Sequence, residues 1–178
     1  PALLARVRAD IDAACDANGG QLPPPDQMRS IPALFGVCQE TLRRYPVAFA
    51  TVRHAAKDFD YQGYRVPAGQ QISFFTSAPH FDAQLFRDPY RFDIDRFLEP
   101  RLEQRTRYAF SPYGRGPHIC LGAAMAESIF LSPTACLLRH YEFSATEPGK
   151  QYRMTFNPGP CLPDKFRMHI HKRGNRHG

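Results

Sequence analysis

No apolar run in this sequence approaches the ~18–20 residues that a membrane-spanning helix requires, which excludes a conventional bilayer span within it. No Cys-x-x-Cys pair occurs either. The five cysteines, at 15, 38, 120, 136 and 161, are widely separated. That spacing argues against a disulfide framework and a four-cysteine zinc site, and it fits a reducing compartment. There is no signal peptide, no internal repeat and no initiator methionine. An opening of "PALLARVRADIDAAC" is what a fragment or a processed product would show.

What is present is an ordinary soluble composition, 43% hydrophobic and 22% charged over 178 residues. That length suffices for one domain with a core, assigned here to residues 1–173 and followed by a basic tail at 174–178. The formal charge is +6, but the positive residues are scattered except in "HKRGNRHG". This reads as a solvated tail, and no nucleic-acid partner is expected.

The pattern predicts a mainly α chain with small β-sheets, an α+β class. Residues 2–17 put Leu3, Leu4, Val7, Ile11 and Cys15 on one helical face, and "NGG" stops that helix. After the proline-rich "QLPPPDQ", Ser30 is the expected cap of a second helix with Pro32 in its first turn. Ile31, Leu34, Phe35, Cys38, Leu42 and Tyr45 recur at helical spacing, and Pro46 ends the helix. "FATVRH" and "QISFFT" read as strands, and "FDYQGYRV" reads as a hairpin turning at Gln62-Gly63. Residues 79–112 lack periodicity, which in so long a segment points to function. A helix is predicted over 122–139, kinked by Pro133, and short strands follow.

Two charged motifs lie on this frame. Glu40 and Arg43, three residues apart, share a helix face; by spacing alone they are a surface pair of little worth. In "DPYRFDIDRF", Arg91 and Arg96 alternate with Phe92 and Phe97, which alone describes a loop with aromatic anchors.

The densest signal is "YGRGPHICLG", residues 113–122. Gly114, Gly116 and Gly122 let backbone approach something bulky and flat, and the following helix points its N-terminus at the Cys120 sulfur. Helix dipole and free N–H groups there favour a thiolate, with Arg115 and His118 close by in sequence. Three readings are open on these residues: a nucleophilic cysteine, a metal thiolate, and a haem-iron thiolate. The first is the weakest. Cys120 and His118 lie two residues apart on one loop with no third group to orient them.

Residues 113–122 resemble the haem-binding loop of the cytochrome P450 family, Phe-Gly-x-Gly-x-(Arg/His)-x-Cys-x-Gly, departing only in Tyr113 for Phe. "ETLR" at 40–43 resembles the family's K-helix Glu-x-x-Arg motif. "FRDPYRFDIDRF" resembles the stretch whose arginine completes a charged trio, here Arg96, with Ile94-Asp95-Arg96-Phe97 in place of Pro-Glu-Arg-Phe. The motifs fall in the family's order over residues 1–173, so the resemblance implies the C-terminal part of that fold.

It further implies haem b, with Cys120 as its axial iron ligand, favouring O–O cleavage. Tyr113, Gly114, Gly116 and Gly122 would line the haem, and His118 and Arg53 would contact its propionates. Glu40, Arg43 and Arg96 would form a buried structural network, and "VAFATV" at 47–52 would line the substrate pocket. The expected activity is monooxygenation of a small organic substrate with electrons from a ferredoxin or flavin reductase, in the cytoplasm for a soluble bacterial-type enzyme. Such an enzyme's oxygen-activating helix, with its acid–alcohol pair, is expected upstream of residue 1. The stripe of Leu34, Phe35, Cys38 and Leu42 is then expected to pack partly on helices outside this chain, and the chain alone is expected to be inactive or a non-catalytic remnant.

Overall fold

The computed structural model describes residues 2–150, 152–156 and 159–174. Of the basic tail, 175–178 lie outside the described residues. Among the described residues, three α-helices are joined by irregular segments and four two-stranded antiparallel sheets. They are α1 (Ala2–Ala17), α2 (Pro32–Arg44) and α3 (Ala123–His140). Strand β1 (Thr51–His54) pairs with β4 (Gln71–Phe74), and β2 (Phe59–Tyr61) with β3 (Tyr64–Val66). Strand β5 (Tyr141–Ala145) pairs with β8 (Met168–Lys172), and β6 (Thr155–Phe156) with β7 (Pro160–Cys161). No described helix is long and apolar enough to cross a membrane.

The periodic faces of the sequence build the core. Val7, Ile11 and Cys15 of α1 meet Ala33, Leu34 and Cys38 of α2 and Leu131 and Ala135 of α3, all buried. Burial of the Val, Ile and Leu side chains among them is worth roughly 1.5–3 kcal/mol each. Leu34 and Cys38 are fully enclosed by this chain's own residues, and only Phe35 and Leu42 of the expected stripe remain partly exposed. The α2 stripe therefore depends less on outside helices than its sequence suggests, because α1 and α3 sandwich it.

The N-terminus of α2 departs from the local reading. Ser30 closes a 3-10 turn and donates to Gln27 O, while Ile31 is the N-cap residue without a side-chain cap bond. The orphan N–H of Ala33 instead donates to Asp10 Oδ2 of α1 at 2.9 Å. A carboxylate from another helix performs the cap, so the signal is tertiary. The hairpin forms where expected, with Gln62 at φ 49° and Gly63 at φ 83° supplying the left-handed pair that a tight two-residue turn needs. Pro133 does not end α3, which runs on to His140.

One helical glycine has a packing reason. At Gly36 an added Cβ would lie 3.0 Å from Ile94 Cβ and 3.1 Å from Ile94 O. Gly36 thus lets α2 dock directly on the 3-10 turn Ile94–Phe97, and buried Ile94 fills the position where the family motif has proline. Gly36→Ala should therefore destabilise by roughly 1–2 kcal/mol, overpacking outweighing the ~1 kcal/mol helix-propensity gain. Urea denaturation of the single variant checks this; an increase in stability would contradict the contact.

Candidate functional site

The irregular segment 79–112 is ordered by charge rather than by ladders. Glu40, Arg43 and Arg96 are each fully buried. Arg43 grips Glu40 with two prongs, Nε to Oε2 at 2.6 Å and Nη2 to Oε1 at 2.8 Å. Arg96 Nε lies 3.5 Å from Glu40 Oε1, an ion pair without hydrogen-bond geometry. The remaining guanidinium donors go to backbone. Arg43 donates to the carbonyls of His80 and Pro89, and Arg96 to those of Arg87 and Asp88. Glu40 Oε1 also accepts the Asp93 N–H at 3.0 Å. Buried ions need such bonding, because desolvation costs several kcal/mol per charge; Arg96 Nε has the ion pair with Glu40 but no hydrogen bond. Glu103, 3.0 Å from Arg96 Nη1, supplies a second carboxylate. Its own partner Arg101 also reaches Asp93 at 2.8 Å. Burial alone would raise the Asp93 carboxyl, but bonds from Arg101 and the Asp95 N–H hold it below its ordinary value.

His80 completes this arrangement, and nothing in the sequence marks it beyond a lone histidine in an irregular stretch. It is fully buried, its ring 5.2 Å from that of Phe110, which packs on Phe97. Its Nε2 accepts the Ser111 N–H at 3.0 Å, and Nδ1 lies 3.3 Å from Arg43 O. Burial, against the partly opposing bond to Arg43 O, pushes its pKa down to about 4.

Beyond Ser111 comes the cysteine loop. Gly114 (φ 75°) and Gly116 (φ 70°) are both left-handed, the conformation glycine supplies without a Cβ clash. Cys120 N–H donates to Tyr113 O at 2.9 Å, closing the loop on itself. Cys120 is exposed, just before the start of α3, whose N-cap is Gly122. A Cβ at Gly122 would sit 3.9 Å from the Cys120 sulfur. Around that sulfur Ile119, Leu121 and Met125 are solvent-exposed, an apolar surface with one thiol in it. Tyr113 is half-buried, its phenol pushed up to about 12 by burial and by the negative charge of Glu127. Gln39, Tyr113, Arg115 and Glu127 are among the residues lining a cavity of about 530 Å³ beside the loop. Arg115 donates to Ser111 Oγ and Phe110 O and lies over the Tyr108 ring.

The other expected site residues are dispersed. His118 is exposed at the end of the 3-10 turn Gly116–His118. Arg53 is exposed on β1 opposite Ile72, donating to Val52 O. Val47, Phe49 and Val52 are exposed, Phe49 stacking at 6.4 Å on Phe75. Among the described residues, no group of three or more His, Cys, Asp or Glu could hold a metal ion.

Comparison with known proteins identifies the family. The family model "Cytochrome P450" matches residues 1–169. A sterol 14alpha-demethylase of Mycolicibacterium vanbaalenii is 32% identical over 154 residues, covering 86% of this chain and 34% of the relative. A cyclooctat-9-en-7-ol 5-monooxygenase of Streptomyces melanosporofaciens is 36% identical over 126 residues, covering 71% of this chain and 27% of the relative. The crystal structure of the cytochrome P450DA heme domain superposes with a TM-score of 0.83 at 22% identity, over 98% of this chain and 38% of that one. The chain belongs to the cytochrome P450 family, with the family's α+β fold, and it spans about a third of the length of the curated relatives it matches.

Two outcomes test the buried charges. Glu40→Ala leaves buried Arg43 without its carboxylate and Arg96 with Glu103 alone, and should cost roughly 3–5 kcal/mol, read as a lowered denaturation midpoint and folded yield. Unchanged melting would count against the network. His80 gives a pH signature. Folded, it stays neutral down to about 4, whereas unfolded it protonates near 6.5, so its contribution is fully present above 6.5 and is lost as pH falls towards 4. The loss is at most roughly 3 kcal/mol. Urea midpoints between pH 7 and pH 4 should fall in this window and flatten in His80→Gln.

Proposed function

We propose that this chain is the proximal portion of a haem-thiolate monooxygenase, in which Cys120 would supply the thiolate that holds the iron of haem b. The observation that carries the reading is the exposed Cys120 thiol, ahead of α3 on a loop with two left-handed glycines and surrounded by exposed apolar side chains. When bound, the haem supplies oxygen activation and insertion of one oxygen atom into an organic substrate. The protein's part is placement. Cys120 presents its sulfur, and Gly114, Gly116 and Gly122 leave room for the macrocycle. Tyr113 packs beside it. His118 and Arg53 serve the propionates. Glu40, Arg43 and Arg96 lock the segment beneath the haem, and residues 47–52, with Phe49 and Phe75 stacked, offer an apolar wall to substrate. The basic surface of Arg107 and Arg115, both over the Tyr108 ring, suits an acidic electron donor such as a ferredoxin or flavin reductase by charge complementarity.

The alternative is a non-catalytic remnant of such an enzyme. One set of measurements separates the two. Joined to an upstream portion of the relatives' kind, the protein should bind haem one-to-one and show the red-shifted Soret band of thiolate ligation when reduced with carbon monoxide. Cys120→Ala should abolish that band. Residues 1–178 alone, given haem and an electron donor, should consume reducing equivalents without coupled hydroxylation. Retention of the band in Cys120→Ala would overturn the ligand assignment, and coupled turnover by the isolated chain would overturn its partial status.

A further inference from the structure

The haem reading uses the charge trio and the cysteine loop but leaves the link between them unexplained. Residues 81–110 hold no strand and no α-helix, and the loop beyond contains two left-handed glycines that give it no stiffness of its own. Something must fix the loop's position relative to α2. We propose that His80 is that link: a positioning residue whose ring ties the Ser111 amide, and with it the Cys120 loop, to the Arg43 end of the buried ion pair.

The bonding allows one arrangement. A backbone N–H can only donate, so the Ser111 N–H at 3.0 Å requires a lone pair on His80 Nε2. The ring hydrogen then sits on Nδ1, where the neighbour at 3.3 Å is the acceptor Arg43 O. Arg43 returns the contact by donating through Nη1 to His80 O. The residue is therefore held by Arg43 through both main chain and ring. On the far side, Ser111 O accepts the Gly114 N–H at 3.2 Å, Ser111 Oγ accepts from Arg115, and Tyr113 O accepts the Cys120 N–H. A continuous hydrogen-bonded path thus runs from Glu40 through Arg43, His80 and Ser111 to the amide of Cys120. The cationic groups facing the ring are Arg43 from α2 and Arg115 from the loop, and the anionic Glu40 lies behind Arg43. A protonated ring would set Nε2–H against Ser111 N–H and add a third positive charge, so the link works only in the neutral form.

The tether stands on bonds of this chain alone; it rests on the haem reading only for what the loop then holds. The test uses the full 178-residue chain and two partial mimics. Glutamine places its amide near the Nε2 position and can still accept from Ser111, whereas asparagine reaches only the Nδ1 position and leaves Ser111 N–H without an acceptor. Amide hydrogen exchange should be roughly tenfold or more faster at Ser111 and Cys120 in His80→Asn, with α2 amides unchanged, and close to wild type in His80→Gln. Equal behaviour of the two variants, or unaltered exchange at Ser111 in His80→Asn, overturns the proposal. Ring-nitrogen NMR of the unmutated chain near pH 7 keeps it testable should the variants not fold. The shifts should show Nδ1 protonated and Nε2 bare, and the opposite tautomer overturns the link. In the haem-loaded, completed protein, the thiolate-type Soret fraction should be lower in His80→Asn than in His80→Gln. If the exchange pattern holds but no thiolate band appears in any variant, the haem reading fails and the tether stands.

Discussion

Glu40 is a carboxylate with no exposure to water, set between two guanidinium groups that are equally buried. Three charges in a low-dielectric interior tolerate no vacancy, since each lost partner leaves an ion without solvation. That requirement disciplines the long irregular segment. The carbonyls of His80, Arg87, Asp88 and Pro89 must all face the guanidinium groups, which fixes a stretch of chain that has no ladder of its own. The helices place Glu40 and Arg43; the buried charges then place the backbone from His80 to Asp93.

A second polar node works the same way at the other end of the core. Asp12 of α1 takes Arg139 of α3 at 2.8 Å and Arg173, just past β8, at 3.1 Å. Burial would raise its carboxyl, yet the two arginines hold it below its ordinary value. Arg173 also donates to the carbonyls of Leu138 and Arg139, stopping the last turn of α3. The core is thus bracketed by two carboxylates, each shared by two arginines: Glu40 by Arg43 of its own helix and the distant Arg96, Asp12 by Arg139 and Arg173.

Local and long-range pairing differ in how legible they are in a sequence. The three helices announce themselves through Val7–Ile11–Cys15, Leu34–Cys38 and the stretch after Gly122, because local period decides them. The turn at Gln62-Gly63 is legible for the same reason. The cysteine loop stands out through glycine, whose use reflects backbone shape. Long-range pairing leaves no such mark. Asp10 caps a helix 23 residues away, Glu103 reaches Arg96 across a turn, and His80 meets Ser111 across an aperiodic stretch. No spacing rule encodes those distances, since they arise only once the core has closed. Ser30 shows the converse: a residue with the right local chemistry for a cap is displaced by a better-placed carboxylate.

The way Arg43 and Arg96 hold the irregular segment carries an evolutionary consequence. Most of their bonds from this segment are to peptide carbonyls, which every amino acid offers equally; the exception is the Glu103 carboxylate on Arg96. The exposed side chains at 87 and 91 can therefore drift without loosening the anchor, so long as the backbone path is kept, whereas Asp88 sits at φ 50° and Pro89 is buried. Much of the segment's outer face is exposed, with Tyr90 prominent. Positions such as 87 and 91, whose backbone is pinned from beneath and whose side chains face solvent, are where a lineage can alter its surface chemistry at little cost to folding.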